Sequence, residues 1–466
     1  MMTIAACLWM GLFPLLQGGT YARITLDKWI CMMVLAAATV CLFIPGALLH
    51  RERWGRPFSF PRRNEMGRPH RSPQALPLAA AAVLLLAAVL SCLLGPFGAE
   101  TWWIGASMRR EGLLTQLCYL GLFFLFAFSR VNLKPVLLSA AAGVAVFFVI
   151  VLLQRAGGNP LGLYPAGRSY ERNPEFQGTI GNVDMGTGWL CMLAGFFAYG
   201  GALSLRSYRK RRQTSDLIPN ACSASSVILT GRSERRDPRQ TSDLVTAAAS
   251  LLGLVLSVYL VVTMGVQFGM ISLAALPCVS LLRFVPRRWR LPLCALLLAI
   301  VLLTVWFWPG TGGGVWELHE ILHGRGRLSF GSNRVAVWAF SMPLAKESLL
   351  LGSGSDTFAA RFNAHLQRNG LVIPNEQDGV PLPDYFDAPH NEYLAQWLNH
   401  GLPAMLAFLL LLVLAVWRKR DGLLPLLTPC SAAVLCYAVQ AFFSFSVCIV
   451  APMFWVMLGL SLQKEE

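Results

Sequence analysis

A short polar segment near residue 390 carries side chains that suit proton transfer. Asp387-Ala-Pro-His-Asn-Glu-Tyr-Leu394 places one histidine between two carboxylates, and an apolar run from Leu402 to Trp417 follows almost at once. Histidine titrates near neutral pH, so His390 is the expected general base, and Glu392 or Asp387 is expected to orient it. The pattern predicts chemistry where a polar loop meets a membrane face.

A second pattern suggests a different chemistry. His319-Glu320-x-x-His323 matches the zinc-binding spacing in which two histidines share one helix face and the glutamate acts as base. Glycines at 312–314 and at 324 and 326 leave room for little more than two helical turns. His365, Asp384 and Glu347 are possible third ligands, and nothing singles one out. A membrane metalloprotease is therefore one alternative function.

The composition predicts an all-α protein that crosses a membrane many times. Hydrophobic residues make up 55% of the chain and charged residues 14%. Many apolar runs reach the length of about 20 residues that a hydrocarbon core requires, and they lack the alternation of a transmembrane β-barrel. We predict about twelve transmembrane helices. They run at 1–19, 29–48, 76–94, 112–129, 134–153, 184–203, 244–263, 267–282, 291–308, 402–417, 422–441 and 445–462.

The net charge of +15 comes from basic residues that are concentrated in a few loops. Basic residues crowd into loops 49–75, 204–243 and 283–290 and into 418–420, whereas 309–400 holds six Arg or Lys against nine Asp or Glu. The positive-inside rule places the basic loops in the cytoplasm and the acidic segment outside, which excludes a nucleic-acid footprint. The basic loops are expected to contact anionic membrane lipids.

Three parts follow from this topology. Residues 1–308 form helices 1–9 with the basic cytoplasmic loops, 309–401 form a long, partly helical outer loop with the expected active site, and 402–466 form helices 10–12 and a cytoplasmic tail. Most of the twelve cysteines lie in apolar runs and the outer loop has none, so no disulfide framework is expected.

The outer loop contains recognisable elements. An amphipathic helix is predicted after Ser332, then a glycine turn at Gly352–Gly354, a second helix over Thr357–Arg368 and a coil over Ile373–Pro389. Its many aromatic residues predict that the loop folds.

The order of the motifs resembles the O-antigen ligase and O-antigen polymerase family of membrane glycosyltransferases. Arg-x3-Trp begins at Arg334, Gly-x-Gly-x3-Phe begins at Gly352, and His-Asn-Glu-Tyr-Leu begins at His390 before a membrane span. Gly-Thr-Ile-Gly-Asn182 and Trp103-Ile-Gly-x4-Arg110-Glu-Gly-Leu resemble two further segments of that family. The long outer loop between the ninth and tenth spans also matches.

The resemblance implies transfer of a glycan from an undecaprenyl-diphosphate carrier to an acceptor hydroxyl. The acceptor is another lipid-linked glycan in a polymerase and a different molecule in a ligase. The implied place is the outer face of a bacterial cytoplasmic membrane. No cofactor, metal or nucleic acid is expected.

Arginines are expected to bind the diphosphate, because a guanidinium matches phosphate oxygens in a bidentate fashion. Arg334 is the first candidate and is counted as catalytic with His390 and Glu392. Weaker candidates for substrate binding are Arg168, Arg172, Arg109 and Arg110. Residues of the matching motifs are also expected to bind substrate: Asn182, Asn391, Gly352 and Gly354.

One position departs from the family. Many members carry Ser-Arg-Gly at the start of the eighth span, and here Gln267 stands nearest. A further alternative is a transporter of lipid-linked glycans. Transporters usually place ionisable residues at the midplane of the bilayer, where these spans have almost none, so surface chemistry is favoured.

Overall fold

The computed structural model describes residues 1–49, 75–217, 238–373, 376–377, 380–381, 385–417 and 427–463. Most of the predicted basic loop 49–75, the middle of 204–243, the basic residues 418–420, part of the outer coil and the start of the eleventh predicted span lie outside these ranges.

The described chain is mainly helical. The first helices are α1 (Met2–Cys7), α2 (Ile24–Leu49), α3 (Ala75–Leu94), α4 (Ala99–Trp102), α5 (Leu113–Ala127), α6 (Leu133–Arg155), α7 (Val183–Leu217) and α8 (Pro238–Met264). They continue with α9 (Gln267–Phe284), α10 (Arg287–Trp306), α11 (Gly313–Leu322), α12 (Arg334–Glu347), α13 (Phe358–Asn369), α14 (Glu392–His400), α15 (Leu402–Trp417), α16 (Pro429–Gln440) and α17 (Ala451–Ser461). Two short antiparallel hairpins pair β1 (Phe176–Gln177) with β2 (Gly181–Asn182) and β3 (Glu376–Gln377) with β4 (Val380–Pro381).

An apolar helix lies at each of the twelve predicted spans. Within the described residues, six are long and apolar enough to cross a bilayer, namely Tyr21–Pro45, Ala75–Leu94, Leu133–Arg155, Val183–Thr214, Pro238–Met264 and Arg287–Trp306. The others are shorter, at Met2–Leu15, Leu113–Ala127, Gln267–Leu282, Leu402–Trp417, Pro429–Gln440 and Ala451–Ser461. The multi-pass membrane class is established, and the count of twelve spans stays a prediction.

The first predicted span is not a regular helix. After α1 the chain continues as a π-helical turn over Leu8–Leu12 and a 3-10 turn over Phe13–Leu15. The ammonium of the fully buried Lys28 donates to the carbonyls of Phe13 and Pro14 at 3.0 and 2.8 Å. The hydroxyl of Thr179 also donates to the carbonyl of Pro14, at 2.7 Å. Side chains thus help to satisfy carbonyls at the end of the irregular turn, a requirement where water is absent.

The interior of the bundle is built around α17. Every residue of this helix is buried. Trp455 stacks on Tyr119 of α5 with ring centroids 6.1 Å apart, and Phe454 stacks on Tyr437 of α16 at 3.8 Å. Offset aromatic pairs of this kind add to the stability that burial of the rings already gives. By contrast, α10 exposes nearly all of its apolar side chains, as expected for a helix surrounded by lipid.

Residues 441–450, between α16 and α17, are mostly turns rather than helix. Non-helical backbone at membrane depth is tolerated where protein covers it. This segment is largely buried and supplies Phe443, Phe445 and Ser446 to the site described below. The shortness of α16 and α17 therefore has a local cause.

Segment 309–401 has part of the predicted secondary structure, but the predicted coil contains the hairpin β3–β4 and lies partly outside the described residues. Two helices lie where the sequence predicts them, α12 and α13, and they form a second apolar core with α14. Phe358 and Phe362 of α13 stack with centroids 4.9 Å apart, and Leu394 and Leu398 of α14 complete the core. This core provides a rigid support for the segment before His390.

Candidate functional site

His390 lies at the sharp turn between the outer coil and α14. Its φ of +50° is in the left-handed region, which non-glycine residues adopt only when the surroundings enforce it. The indole of Trp338 donates to the carbonyl of Pro389 at 2.7 Å, and the imidazole meets the ring of Phe445 edge-on with centroids 4.8 Å apart. Within the described residues the imidazole makes no hydrogen bond, so its nitrogens are available to a substrate.

The surroundings of His390 favour the neutral imidazole. Burial and the charge of Arg334 lower its pKa from 6.5 to about 4, with Asp387 opposing the shift and Arg109 adding to it. A neutral imidazole at neutral pH is the form that accepts a proton. The charged groups that act on this pKa, namely two guanidinium groups and the carboxylate of Asp387, lie close to the ring.

Arg334 is the first residue of α12 and is almost fully buried. Its Nε donates to the carbonyl of Phe443 at 3.3 Å and its Nη1 to that of Gly331 at 2.9 Å. Its Nη2 lies 3.8 Å from the carboxylate of Asp184, and the guanidinium stacks on Phe268 at 4.8 Å from the ring centroid. Burial lowers the pKa of Arg334 and Asp184 raises it, so the buried cation lies beside one partly exposed carboxylate.

Glu392 is buried and bonded to groups other than His390. Its Oε1 accepts from the amide of Gln396 at 2.8 Å, and its Oε2 accepts from the backbone N–H of Ser446 at 2.6 Å. Burial raises its pKa above the ordinary value, although these two donors favour the carboxylate. The polar chain continues along α14, because Gln396 also contacts the imidazole of His400 at 2.9 Å. A direct part for Glu392 in transfer stays a prediction.

A buried ion pair that the sequence did not reveal lies beside these residues. Together with His390, Arg334 and Glu392 it forms the polar group that we call the centre. Arg109 Nε donates to Asp356 at 3.0 Å, and the guanidinium stacks on Phe445 at 4.6 Å, so Phe445 contacts both Arg109 and His390. Burial opposes the charge of Arg109, yet the carboxylates around it, first of all Asp356, hold its pKa above the ordinary value. Asp356 also accepts from the backbone N–H groups of Ala106 and Glu111, at 2.8 and 3.2 Å.

Sequence signals for this pair were present but weak. Arg109 was among the weaker phosphate-binding candidates. Asp356 follows directly on the Gly352–Gly354 turn and is the one acidic residue between Glu347 and Glu376. The two residues are 247 positions apart, so no local pattern connects them.

The predicted glycine turn packs against the end of α14. Gly352 has a φ of +69°, and a Cβ there would lie 2.3 Å from the carbonyl oxygen of Asn399. The N–H groups of Ser353 and Gly354 donate to that same oxygen at 3.1 and 2.9 Å. The glycines thus join two parts of the outer segment and place Asp356. Direct binding of substrate by Gly352 and Gly354 stays a prediction.

The predicted asparagines cap helices. The side-chain oxygen of Asn391 accepts from the N–H of Leu394 at 2.9 Å at the start of α14. That of Asn182 accepts from Asp184 at 2.9 Å at the start of α7. Both caps satisfy N–H groups that have no intrahelical partner. The caps thus stabilise the start of α14, next to His390, and the start of α7, which carries Asp184.

A cavity of about 690 Å³ adjoins the centre. Its lining combines arginines, other polar residues, and aromatic and aliphatic side chains; the arginines are Arg23, Arg110 and Arg168, and the other polar residues are Thr25, Ser107, Asn173 and Asn182. Arg110 has a φ of +55° and places its guanidinium over Trp29 at 5.6 Å. The structure does not bring Arg172 to this cavity: its guanidinium is exposed and donates to the carbonyl of Gly167 in its own loop, at 3.4 Å.

All the segments that meet here are ones that the alternating topology puts on one side of the membrane. They are 95–111, 154–182, 264–267, 309–401 and 441–450. At the other end of the bundle, Asp243 pairs with Lys134 and with Arg211, the latter at 3.1 Å, and the Asn132 N–H donates to Thr3 at 3.1 Å. These residues lie in segments predicted on the cytoplasmic side or at the cytoplasmic ends of predicted spans, and the order of the spans stays a prediction.

The zinc pattern gains no third ligand among the described residues, and Asp384, one of the predicted candidates, lies outside them. His319 and His323 each direct Nδ1 to a backbone carbonyl, at 3.0 and 2.8 Å. Glu320 is held by Arg325 at 2.6 Å, which lowers the pKa of the carboxyl group. Among the described residues, no group of three or more His, Cys, Asp or Glu side chains is placed to hold a metal ion. The geometry gives the metalloprotease alternative no support.

The fold and the site together define a multi-pass membrane protein with one buried polar centre at the ends of its helices. Residues 252–409 match the family model described as O-Antigen ligase, a region that includes Arg334, Asp356 and His390. This match supports assignment to the O-antigen ligase family and confirms the family resemblance predicted from the motifs. This assignment indicates a membrane glycosyltransferase-like function in glycan biosynthesis. A comparison with curated proteins finds no match.

Proposed function

We propose that this protein transfers a glycan from an undecaprenyl-diphosphate carrier to an acceptor hydroxyl at the outer face of the bacterial cytoplasmic membrane. The observation that carries the proposal is the placement of the His390 imidazole, which makes no hydrogen bond within the described residues, beside two buried guanidinium groups. A transfer of this kind needs both a base for the acceptor and cations for a diphosphate that leaves.

The base is His390. Its neutral nitrogen takes the proton of the acceptor hydroxyl while the acceptor oxygen bonds to the anomeric carbon and the bond from that carbon to the phosphate oxygen breaks. The proton then passes to solvent. Asp387, which already raises the pKa of the imidazole, stabilises the imidazolium that forms.

The cations are Arg334 and Arg109. Negative charge develops on the diphosphate as it leaves, and fixed cations in a water-poor site stabilise that charge without reorganising. Asp184 and Asp356 hold the two guanidinium groups in place while the site is empty.

The decisive experiment is a transfer assay with purified protein and a lipid-linked glycan. His390→Ala is expected to lower turnover about 100- to 10,000-fold, the usual contribution of a general base. His365→Ala is the matched control, because His365 lies on α13 and, within the described residues, its imidazole hydrogen-bonds to Asn369 of the same helix, at 3.2 Å. Near-normal turnover in His390→Ala would make the histidine structural and move the search for a base to Glu392 or Asp387.

The orientation in the membrane needs its own measurement. Val372 in the outer segment is 69% exposed, and Thr214 near the end of α7 is also exposed. In a background with the native cysteines replaced, a membrane-impermeant maleimide added to intact cells is expected to label Val372→Cys, and Thr214→Cys only after permeabilisation. The reverse pattern would place the centre in the cytoplasm and remove the proposed mechanism.

The acceptor decides between polymerase and ligase. A polymerase extends one lipid-linked glycan with another, so product length increases when the donor is the only glycan present. A ligase makes no product until a different acceptor is added. The same purified assay, run with the donor alone, therefore separates the two.

A further inference from the structure

We propose that His400 is a positioning residue for Arg109, because it closes a hydrogen-bonded ring that holds this guanidinium beside His390. This inference rests on the proposed function and deepens it, since it names the residues that keep one of the two cations in place. Three observations carry it: the spacing of polar residues along α14, the direction of their hydrogen bonds and the closure of these bonds through Arg109. The hydrogen-bonded ring consists of Arg109, Asp356, Ser355, His400, Gln396, Glu392 and Ser446.

Three polar residues of α14 share one face of the helix. Glu392, Gln396 and His400 follow one another at intervals of four, which brings them into line because the helix turns once every 3.6 residues. This face is turned into the protein, and each of the three residues is at most 5% exposed. A polar row without access to water has to satisfy its donors and acceptors within the protein.

The hydrogen bonds along this row run in one direction. A carboxylate can only accept, so the amide nitrogen of Gln396 donates to Glu392, and the amide oxygen accepts from Nδ1 of His400. Burial lowers the pKa of His400 to about 4, so the imidazole is neutral and its Nε2 is an acceptor. The hydroxyl of Ser355, at 3.0 Å, donates to that nitrogen. His400 thus links α14 to the segment that follows the glycine turn.

The row closes into a ring through Arg109. At one end, Ser355 is followed directly by Asp356, which accepts from Nε of Arg109 at 3.0 Å. At the other end, Glu392 accepts from the N–H of Ser446 at 2.6 Å, and the carbonyl of Ser446 accepts from Nη2 of Arg109 at 3.3 Å. The guanidinium is therefore held from two sides by the two ends of the row.

The same hydrogen bonds position an aromatic side chain that touches His390. Phe445 directly precedes Ser446, whose N–H is bound by Glu392. The phenyl group meets the imidazole of His390 with centroids 4.8 Å apart, and the guanidinium of Arg109 lies 4.6 Å from the phenyl centroid. A shift of this backbone would therefore move both contacts. Misplacement of a reacting group by about 1 Å can lower a rate about 100-fold.

Ser355 and His400 have the pairing of a serine nucleophile and its base, but their burial excludes that role. Ser355 is fully buried and His400 is 3% exposed. His400 also lies about 12 Å beyond Glu392 along the axis of α14, whereas His390 precedes the helix. The pair therefore acts through the residues that it holds and does not contact the substrate.

Steady-state kinetics of the purified protein test positioning. Ser355→Ala and His400→Leu each break the hydrogen-bonded ring, and each is expected to lower kcat at least about tenfold. The value of kcat/KM is expected to fall by the same factor, because Arg109 stabilises charge that develops as the diphosphate leaves. His400→Gln offers one donor and one acceptor, as the neutral imidazole does, and is expected to recover part of the loss.

Ser431→Ala is the matched control for Ser355→Ala, because both hydroxyl groups are buried and each accepts one hydrogen bond and donates one. The hydroxyl of Ser355 accepts from the thiol of Cys92 at 3.4 Å. That of Ser431 accepts from Thr428 at 2.8 Å and donates to the carbonyl of Ala415 at 2.7 Å. Ser431 lies on α16 outside the hydrogen-bonded ring, so its loss should lower stability in an SDS titration and leave kcat unchanged. Unchanged elution in gel filtration shows that each variant is folded.

A second measurement reports on Arg109 without any transfer. In protein labelled with ¹⁵N-arginine, the Nε–H resonance of Arg109 is identified by its disappearance in Arg109→Gln. Its hydrogen exchange with solvent is expected to be slow in the wild type and in Ser431→Ala. In Ser355→Ala and His400→Leu it should be at least about tenfold faster, because the ion pair opens more often.

The outcomes separate this inference from the proposed function. If the wild type transfers no glycan, or if His390→Ala retains transfer, the proposed function fails, and the exchange rates still decide whether the hydrogen-bonded ring positions Arg109. Wild-type kcat in folded Ser355→Ala and His400→Leu would reject positioning, and so would unchanged exchange in both. An equal fall of kcat in Ser431→Ala would also overturn it, because lost stability alone would then explain the effect.

Discussion

The neutral state of His390 makes a specific prediction about pH. If His390 is the base, kcat/KM should follow its deprotonated fraction in the free enzyme, and it should rise with pH through the pKa of this group. Burial and Arg334 hold that pKa at about 4 instead of the ordinary 6.5. We therefore expect the acid limb of the profile near pH 4.

The size of the effect follows from the two pKa values. At a pH of about 5.5, a histidine with a pKa near 4 is roughly 97% deprotonated, and an ordinary histidine is roughly 9% deprotonated. The wild-type enzyme should thus keep nearly its full kcat/KM at this pH. An ordinary imidazole would lose about tenfold.

Two substitutions of one residue test the physical cause. Arg334→Gln removes the largest charge effect on His390, so the acid limb should move upwards towards pH 6.5. Arg334→Lys retains a cation, so the limb should stay close to its wild-type position although the rate falls with loss of the planar fork. The assay is the initial rate at low substrate from about pH 3 to 8, so that the range covers both sides of the expected midpoint, scaled to each variant's own plateau.

Other groups in the outer segment titrate in the same range and require a control. Burial also lowers the pKa of His400 to about 4, but its imidazole is bonded to Ser355 at 3.0 Å and to Gln396. His400→Gln should therefore leave the midpoint of the limb unchanged. A wild-type midpoint near 6.5, or no shift in Arg334→Gln, would refute the electrostatic account of His390.

Three further outcomes test the framework around the site. Asp356→Asn leaves Arg109 as a buried cation without its carboxylate, so the free energy of unfolding should fall by about 3 kcal/mol or more, measured by SDS titration of the detergent-solubilised protein; a change below about 1 kcal/mol would contradict the pairing. The double variant His319→Ala with His323→Ala should retain transfer, and chelators should not inhibit; a loss of activity that zinc restores would revive the metalloprotease alternative. Gly352→Ala should be clearly destabilising in the same titration, because its Cβ would lie 2.3 Å from a carbonyl oxygen at a φ of +69°; wild-type stability would show that the turn is not constrained.

The membrane class and the positions of the helices could be predicted because they depend on local composition. In hydrocarbon, the backbone N–H and C=O groups of about twenty apolar residues cannot remain without hydrogen bonds. Each apolar run therefore becomes a helix, whatever its neighbours are. The helices α12 and α13 of the outer segment were predictable for a similar reason, since their patterns and the intervening glycines are local. His390 was identified because a titratable group beside an apolar span stands out in sequence.

The partners of His390 were not predictable in the same way. Ser446 and Phe445 lie in a turn that sequence analysis assigns to the boundary of two spans, and only the packing of α16 against α17 turns this segment towards α14. Glu392 looked like the natural partner of His390 because it is two residues away. In the structure it bonds to Ser446 and Gln396 instead, because Glu392 is the first residue of α14 whereas His390 lies in the turn before that helix, with a φ of +50°.

Gln267 stands where many members of the family carry an arginine, and the structure shows where its side chain packs. The amide oxygen of Gln267 lies against Gly314, where a Cβ would meet it at 2.6 Å, so this side chain is packed against α11. The next residue, Phe268, provides the ring on which Arg334 stacks. The second cation near His390 comes from Arg109, which belongs to a different outer segment and is held by Asp356. A centre that requires two cations can therefore be assembled without an arginine at position 267, because the packing of distant loops determines which guanidinium groups reach it.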